Sequence, residues 1–319
     1  MSSSPSSGGS APVTDRTVRH GDMELAVRDH GGSGPALLLL HGAGRTLADW
    51  SGAAARLAAD HRVIAMDLRA HGHSSAGSGP WAVPAVLDDI GAVLDAFGIP
   101  DALPVGHSLG GMLAVLYADA RPRTPGAVNL DGFGQGRPGM YTDLDPETVR
   151  ERLARAHDVS RAGAGRTFPP EGLDAVRAYE SAMAEQLGFA PGLLAEGRRR
   201  ALAGTADGRL VLRPERERAL EMLDAMDELD LFAVYRRTTR PLLVVRAGRL
   251  ADQGDQLAWY DELMAAYVKG LDRELTALAA ERPLLTVRGL DATHAMLLER
   301  PDAVAAAIRD FVQRLGLRS

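Results

Sequence analysis

The segment PVGHSLGG, residues 104–111, holds a serine in a Gly-x-Ser-x-Gly frame, after a short apolar stretch and before a helical one. A serine at the tip of a strand-turn-helix unit occupies strained backbone, and the two glycines of the frame let the strand and the helix approach each other. A serine hydroxyl becomes a good nucleophile only when a base takes its proton. Ser108 is therefore the candidate nucleophile, and a histidine oriented by a carboxylate is expected elsewhere in the chain.

The candidate base is His294. Among the nine histidines it alone lies late in the chain, in the loop RGLDATHAML after the last predicted strand. In a parallel sheet that loop returns to the carboxyl edge, where Ser108 is expected, so His294 is predicted to be the general base.

The other histidines near glycine-rich turns are expected to have structural roles and no part in catalysis or metal binding. His41 and His107 are expected to hydrogen-bond the local backbone. His71 and His73 have the spacing of a small metal-ligand pair, but the sequence suggests no third ligand, so they are interpreted as loop histidines.

The elements that would position these residues follow an α/β rhythm. From about Thr17 short β-like runs alternate with helical stretches, and the strand GAVNLDG follows the helix after Ser108. Residues 133–240 are polar, arginine-rich and helical. Strands at 241–248 and in PLLTVRG, with helices after each, complete the pattern. It predicts an α/β fold, a mostly parallel sheet flanked by helices, with an inserted all-helical cap.

Three parts of the chain are expected, with these boundaries: a disordered leader at 1–13, an α/β core at 14–132 and 241–319, and a helical cap at 133–240. Within the cap, Asp145 is expected to cap a helix whose first turn holds Pro146. Pro104 lacks the N–H that a strand ladder uses. The strand before Ser108 is therefore expected to begin at Val105 or to be irregular before it.

Composition excludes several classes of site. The chain has 319 residues, with 36 Lys and Arg against 42 Asp and Glu, and its scattered basic residues do not indicate nucleic-acid binding. The cluster Arg198, Arg199 and Arg200, on a predicted helix, is interpreted as a solvated face. The sequence contains no cysteine, which excludes disulfides, thiolate metal sites and a cysteine nucleophile.

The sequence also bears on location and partners. The segment MSSSPSSGGSAPV has neither the basic start nor the apolar core of a signal peptide, and the apolar run ALLLL is far shorter than the roughly 20 residues of a membrane helix. A cytoplasmic protein that binds neither a membrane nor nucleic acid is expected. Its expected partner is a small-molecule substrate, no cofactor or metal is implied, and a homodimer is left open.

Four motifs in this order resemble the α/β-hydrolase superfamily, in its serine-nucleophile branch with a helical cap. They are HGAGRTLADW at 41–50, DLRAHGHS at 67–74, GHSLGG at 106–111 and DATH at 291–294. The resemblance implies that Ser108 forms an acyl-enzyme and that His294 activates first the serine and then water. It also implies an oxyanion hole made by the backbone N–H groups of Ala43 and Leu109.

The carboxylate that orients His294 has two candidates. Many superfamily members place it after the strand that corresponds to PLLVVRAG, at a Gly-x-x-Asp, and here Asp252 stands one residue too late for that spacing. A minority place it after the preceding strand, where VNLDGFG offers Asp131. An Asp-Gly that closes a buried strand suits a side chain aimed into the site, although such an aspartate is also a common turn former. Asp131 is preferred, with Asp252 as the alternative and Asp255 beyond it.

The expected function is hydrolysis of an ester, lactone or thioester of a mid-sized apolar substrate through an acyl-enzyme. Carbon-carbon bond hydrolysis and acyl elimination or transfer use similar motifs, and a ligand-binding receptor without turnover is the alternative outside enzymes. A covered apolar pocket is expected between the sheet edge and the cap. Its candidate lining residues, each of which could instead serve in helix packing, are Phe133, Met140, Tyr141, Met183, Phe189 and Phe232.

Overall fold

The fold is taken from a computed structural model that describes residues 12–252 and 254–317. Of the leader predicted at 1–13, residues 1–11 therefore lie outside the described residues. The described strands are β1 (Thr14–His20), β2 (Met23–Gly31), β3 (Ala36–Leu40), β4 (Arg62–Met66), β5 (Leu103–His107), β6 (Ala127–Leu130), β7 (Thr167–Phe168), β8 (Leu202–Gly204), β9 (Leu210–Leu212), β10 (Leu242–Ala247) and β11 (Leu285–Leu290).

The described α-helices are α1 (Ser51–Leu57), α2 (Val83–Ala96), α3 (Leu109–Ala120), α4 (Pro146–Gly163), α5 (Leu173–Leu187), α6 (Leu193–Ala201), α7 (Arg216–Asp227), α8 (Leu231–Arg237), α9 (Ala258–Glu281), α10 (Met296–Glu299) and α11 (Pro301–Arg314). None of the helices in this described part of the chain combines the length and the apolar character needed to cross a bilayer.

One large sheet forms the centre of the molecule. Its strand order is β1-β2-β4-β3-β5-β6-β10-β11. The β1–β2 and β2–β4 pairs are antiparallel, and the neighbours from β4 to β11 are parallel. The predicted, mostly parallel sheet is therefore confirmed. Parallel strands end at one common edge, so the segments that follow β3, β5, β6, β10 and β11 come together there.

Both faces of the sheet are buried, as a parallel sheet requires. In β3, Leu38 and Leu40 enter the core on one face while Leu37 and Leu39 enter the core on the other, and all four are 0% exposed. Helices α2, α3 and α9 cover the first face, and α1 and α11 cover the second. Full burial of each leucine contributes roughly 2 kcal/mol, so the apolar run ALLLL fixes the strand between two helical layers.

Pro104 lies within β5, which begins at Leu103, so both sequence expectations for this strand were wrong. The proline is opposite Leu38 of β3. On its other side, pairing with β6 begins only at Val105. Pro104 thus lies outside the part of β5 that needs ladder bonds to β6, and the strand tolerates it.

The segment between β6 and β10 contains helices α4 to α8. Asp145 caps α4 as predicted, because its carboxylate accepts from the N–H groups of Glu147 and Thr148, each at 3.0 Å, with Pro146 in the first turn. The segment also holds a small antiparallel sheet in the order β7-β9-β8. The expectation of an all-helical insert misses these strands, since two or three residues are too few for a visible β pattern.

Arg200 ties this insert to the core. Its side chain is 5% exposed and donates to Asp67 Oδ2 at 2.7 Å and to Asp15 Oδ2 at 2.8 Å. Asp67, which is fully buried, also accepts from the N–H groups of Leu47 and His73. The interpretation of the arginine cluster as a solvated face was therefore wrong for Arg200, because α6 turns it inward, and holds only for the exposed Arg199.

We predict that Arg200→Ala lowers the free energy of unfolding by about 3 kcal/mol, because removal of one partner leaves the buried carboxylate of Asp67 without its countercharge. Urea denaturation at unchanged m-value measures the effect. The matched control is Arg199→Ala on the exposed face of the same helix, which should change stability by less than about 0.5 kcal/mol. Equal effects of the two substitutions would show that Asp67 does not need Arg200.

Candidate active site

Ser108 lies at the sharp turn between β5 and α3. Its backbone has φ 54° and ψ −123°, outside the regions that L-residues usually occupy. Its N–H donates to the carbonyl of Leu130 at 2.9 Å, which fastens the turn to the end of β6. A Cβ on Gly106 would lie 1.9 Å from the carbonyl oxygen of Gly110, so only glycine lets the strand and the helix pass this closely. The turn presents the serine at the carboxyl edge of the sheet.

The glycine turn after β3 passes directly beside this serine. A Cβ built on Gly42 would lie 3.1 Å from the Cβ and 3.6 Å from the Oγ of Ser108. The predicted oxyanion donors are Ala43 in this turn and Leu109 at the start of α3. Within the described residues, neither of their N–H groups has a hydrogen-bond acceptor in the protein. Both are thus available for a ligand, and Leu109 adds the positive end of the α3 dipole.

Asp131 and His294 are in direct contact. His294 Nδ1 donates to Asp131 Oδ2 at 2.8 Å. The second carboxylate oxygen, Oδ1, accepts from the N–H of Ala247 at 2.9 Å, and the N–H of Asp131 donates to the carbonyl of Val245 at 2.8 Å. The carboxylate is therefore fixed from two sides. The bond at Nδ1 leaves Nε2 of His294 as the nitrogen that can take a proton.

The alternative acid does not reach this histidine. Asp252 is exposed, and its Oδ1 accepts from the N–H of Gly254 at 2.7 Å, which closes a local turn. Its backbone carbonyl accepts from Gln186 Nε2 of α5 at 2.9 Å. Asp255, also exposed, begins a short 3-10 helix. The structure brings Asp131, rather than Asp252 or Asp255, to His294.

The contact with His294 also sets the charge of the acid. Burial alone would raise the pKa of Asp131, but the hydrogen bond from His294, the charge of its ring and the N–H of Ala247 outweigh burial and hold the pKa below its ordinary value. Asp131 is thus a carboxylate at neutral pH. Its side chain is 14% exposed, whereas that of His294 is 58% exposed, so the histidine is open to solvent and to substrate.

The loop that holds His294 is anchored by two residues that sequence reasoning missed. Glu299, whose side chain is 1% exposed, accepts from the N–H of Thr293 at 2.9 Å and from the hydroxyl of the same residue. Arg249 Nη2 donates to the other oxygen of Glu299 at 2.6 Å and thereby links the loop after β10 to the loop after β11. Neither residue stands in a motif, so only the fold reveals this anchor.

His107 connects the nucleophile turn to the histidine loop. Its Nε2 bonds to the backbone carbonyl of His294 at 2.7 Å, and the two rings lie 4.7 Å apart, centroid to centroid. Burial, followed by the charge of His294, lowers the pKa of His107 to about 3, so this ring is neutral. The predicted backbone hydrogen bond exists, but its acceptor is not local, because it lies in the loop after β11.

The other glycine-motif histidines hold loops. His41 Nδ1 donates to the carbonyl of Gly42 at 2.8 Å, and its Nε2 accepts from the N–H of Leu68 at 2.9 Å. His71 Nδ1 donates to the carbonyl of Arg69 at 2.9 Å. Within residues 12–252 and 254–317, no group of three or more His, Asp or Glu side chains is arranged so that it could hold a metal ion.

A cavity of about 520 Å³ lies between the loop after β6, the α7–α8 region of the insert and α9. Its lining begins at Phe133, two residues after Asp131. Of the six apolar residues proposed from the sequence, Phe133, Met140 and Phe232 line this cavity. Met183 and Phe189 instead pack in the small apolar cluster of α5 and α6, and Tyr141 packs in the main core, with its ring 5.2 Å from that of Tyr267, centroid to centroid.

Fold and site together define a hydrolase scaffold of the nucleophile-elbow type. The alpha/beta hydrolase family matches residues 37–307, and the chain belongs to this family. The predicted superfamily is confirmed.

Several of the named relatives are hydrolases. Protein phosphatase methylesterase 1 of Rattus norvegicus is 36% identical over 147 residues, which are 39% of this chain and 38% of that protein. The 2-hydroxy-6-oxononadienedioate/2-hydroxy-6-oxononatrienedioate hydrolase of Cupriavidus pinatubonensis is 31% identical over 144 residues, 42% of this chain and 49% of that protein. The chain spans about a quarter to a half of the length of the curated relatives that it matches.

The fold recurs in solved structures. The crystal structure of E-2-(acetamidomethylene)succinate hydrolase matches with a TM-score of 0.68 and 24% sequence identity, over 95% of this chain and 100% of that chain. This likeness extends through the insert as well as the sheet and shows a shared fold.

Buried neutral histidines predict an acid-sensitive fold. Burial lowers the pKa of His71 and of His107 to about 3 and that of His30 to about 4, from 6.5 in the unfolded chain. Between these values the unfolded chain binds more protons, so the free energy of unfolding is expected to fall as the pH decreases from about 6.5.

The substitution that tests this is His71→Asn, because the asparagine amide can still donate to the carbonyl of Arg69 but does not titrate. Urea midpoints at pH 7.5 and 4.5 should lie closer together for the variant than for the wild type. An unchanged difference between the two midpoints would mean that His71 is not neutral in the folded protein.

Proposed function

We propose that this protein is a serine hydrolase that cleaves an ester, lactone or thioester of a mid-sized apolar substrate through an acyl-enzyme on Ser108. The observation that supports this most strongly is the 2.8 Å contact of His294 Nδ1 with Asp131. The residue before Asp131, Leu130, accepts from the N–H of Ser108, whose backbone is strained. A carboxylate on Nδ1 fixes the tautomer in which Nε2 accepts the serine proton. Strain at a buried, well-packed turn is typical of functional positions.

In the proposed acylation, the Oγ of Ser108 attacks the substrate carbonyl and its proton passes to His294 Nε2. Asp131 stabilises the imidazolium that results. The carbonyl oxygen becomes an oxyanion, which the N–H groups of Ala43 and Leu109 stabilise, and donors of this kind are worth about 3 kcal/mol each in the transition state. When the bond to the leaving group breaks, the leaving group takes the proton from His294.

In the proposed deacylation, His294 takes a proton from water as the water oxygen attacks the acyl carbonyl. The same two N–H groups hold the second oxyanion. Collapse of this intermediate breaks the bond to Ser108 Oγ, which regains a proton from His294, and releases the acid. Only protein groups and water take part.

The cavity beside Phe133 is the proposed site for the apolar part of the substrate. Its volume of about 520 Å³ lies within the range of small-molecule sites, roughly 300–1,000 Å³. Phe133, Met226 and Phe232 offer apolar surface, and Tyr267 closes one wall with its hydroxyl bonded to the carbonyl of Gly134 at 2.7 Å. The rest of the wall carries charged side chains, which are Arg137, Asp227, Glu228, Asp230, Arg236 and Glu274. The name of the related methylesterase agrees with ester cleavage. Carbon-carbon bond hydrolysis would use the same Ser108, His294 and Asp131.

The proposed function predicts how the nucleophile behaves in kinetics. Stopped-flow mixing with p-nitrophenyl acetate should release a burst of about one nitrophenolate per enzyme molecule when deacylation is slower than acylation of Ser108, and sustained turnover when it is not. Ser108→Ala should abolish both the burst and the turnover. Equal release by both proteins would argue for another nucleophile or for a ligand-binding protein without turnover.

A second prediction distinguishes the two acids. Asp131→Asn should slow acylation by about 10⁴-fold, since the amide favours the wrong histidine tautomer. Asp252→Asn, the matched control, should leave the acylation rate within about twofold of the wild type, because that side chain only closes its own turn. A large loss in Asp252→Asn with little change in Asp131→Asn would reverse the assignment.

A further inference from the structure

Asn129 closes the turn that carries Asp131. It lies in β6, two residues before the acid, and is fully buried. Its Oδ1 accepts from the N–H of Gly132 at 2.8 Å, and its Nδ2 donates to the carbonyl of the same glycine at 2.7 Å. One side-chain amide thus pairs with both backbone polar groups of Gly132, as a neighbouring strand would do.

The turn closed in this way holds two of the proposed reacting groups. The carbonyl of Leu130 accepts from the N–H of Ser108 at 2.9 Å, and Asp131 follows with φ 53°. A positive φ is unfavourable for any residue with a Cβ and needs support from its surroundings. The bonds of Asn129 to Gly132 provide this support, because they fix the peptide that follows the strained residue.

The second proton of the Asn129 amide reaches the insert. Nδ2 donates to the hydroxyl of Tyr235 at 2.7 Å, and Tyr235, in α8, is 1% exposed. Both Nδ2 protons and Oδ1 therefore have partners in the protein. A buried polar side chain is costly unless it is bonded in this way, and a complete network favours one geometry.

The backbone packs closely around the Asn129 amide. A Cβ on Gly132 would lie 2.2 Å from the carbonyl oxygen of Ser108 and 2.5 Å from Asn129 Oδ1, and a Cβ on Gly111 of α3 would lie 2.1 Å from the same Oδ1. Asn129 is thus enclosed between the turn, the first residues of α3 and the tyrosine of α8. A displacement of its amide would shift the turn that carries Asp131.

We propose that Asn129, held by Tyr235, is a positioning residue for Asp131 and thereby for His294. This inference rests on the proposed function, in which Asp131 orients His294. Asp131 needs the hydrogen bonds between Asn129 and Gly132 because its own backbone is strained. The hydrogen bond from Asn129 to Tyr235 connects this turn to the cap.

The test is the acylation rate constant with p-nitrophenyl acetate in Asn129→Ala. The rate should fall about 10- to 100-fold with little change in KM, because a small misplacement of a catalytic group costs this much while substrate contacts persist. Tyr235→Phe removes only the hydroxyl and should lower the rate by about 2- to 10-fold, the worth of one hydrogen bond.

A double-mutant cycle separates positioning from a general structural effect. In the Asp131→Asn background, Asn129→Ala should cause no further loss, because its action passes through the missing carboxylate. The stability control is Val128→Ala, whose side chain enters the core on the opposite face of β6. It should destabilise the fold and leave the acylation rate unchanged.

The outcomes can be told apart. Additive losses in the double variant, or a wild-type rate in both Asn129→Ala and Tyr235→Phe, would overturn the inference while Asp131→Asn still acylates slowly. A wild-type rate in Asp131→Asn would instead overturn the proposed role of the acid. If Asn129→Ala does not fold, Tyr235→Phe and its double variant with Asp131→Asn give the same decision.

Discussion

The hydrogen bond between Asp131 and His294 joins residues that are 163 positions apart in the chain. It can form only because the carboxyl edge of the sheet brings the two loops together. The parallel order β5-β6-β10-β11 places the nucleophile turn, the acid turn and the histidine loop side by side. The acid sits in the middle of this set. Its backbone and its carboxylate bind β10, and the residue before it receives the N–H of Ser108.

Two strained residues lie next to each other at this edge. Ser108 has φ 54° and Asp131 has φ 53°. A left-handed conformation costs a residue with a Cβ roughly 1–2 kcal/mol, and the buried leucines and valines of the adjoining strands offset this cost many times over. The strain is thus localised where the site needs side chains to leave the regular direction of a strand. A rigid, fully buried sheet is the condition for keeping it.

Much of this arrangement could be predicted from the sequence. The apolar runs around Leu37 and Val244 indicated buried strands, and the glycines around Ser108 indicated the sharp turn. These signals are local, since they depend on periodicity and on residues with unusual backbone freedom. The position of His294 followed from the expectation of a parallel sheet, because loops after parallel strands share one edge.

Other features depend on contacts between distant segments and left no local signal. Spacing could not decide between Asp131 and Asp252, since the answer depends on which loop folds toward the histidine. Arg200 had the composition of a surface cluster, and only the packing of α6 turns it toward Asp67. Pro104 was misjudged for a similar reason, because its tolerance depends on where pairing with β6 begins.

Covalent labelling tests the central claim most directly. A fluorophosphonate, which reacts with activated serines, should add one group per chain, and peptide mapping by mass spectrometry should locate it on Ser108. Labelling should slow by orders of magnitude in His294→Ala, which removes the base that contacts Asp131. A label on another residue, or an unchanged rate without His294, would contradict the account of a serine activated by the histidine that Asp131 holds.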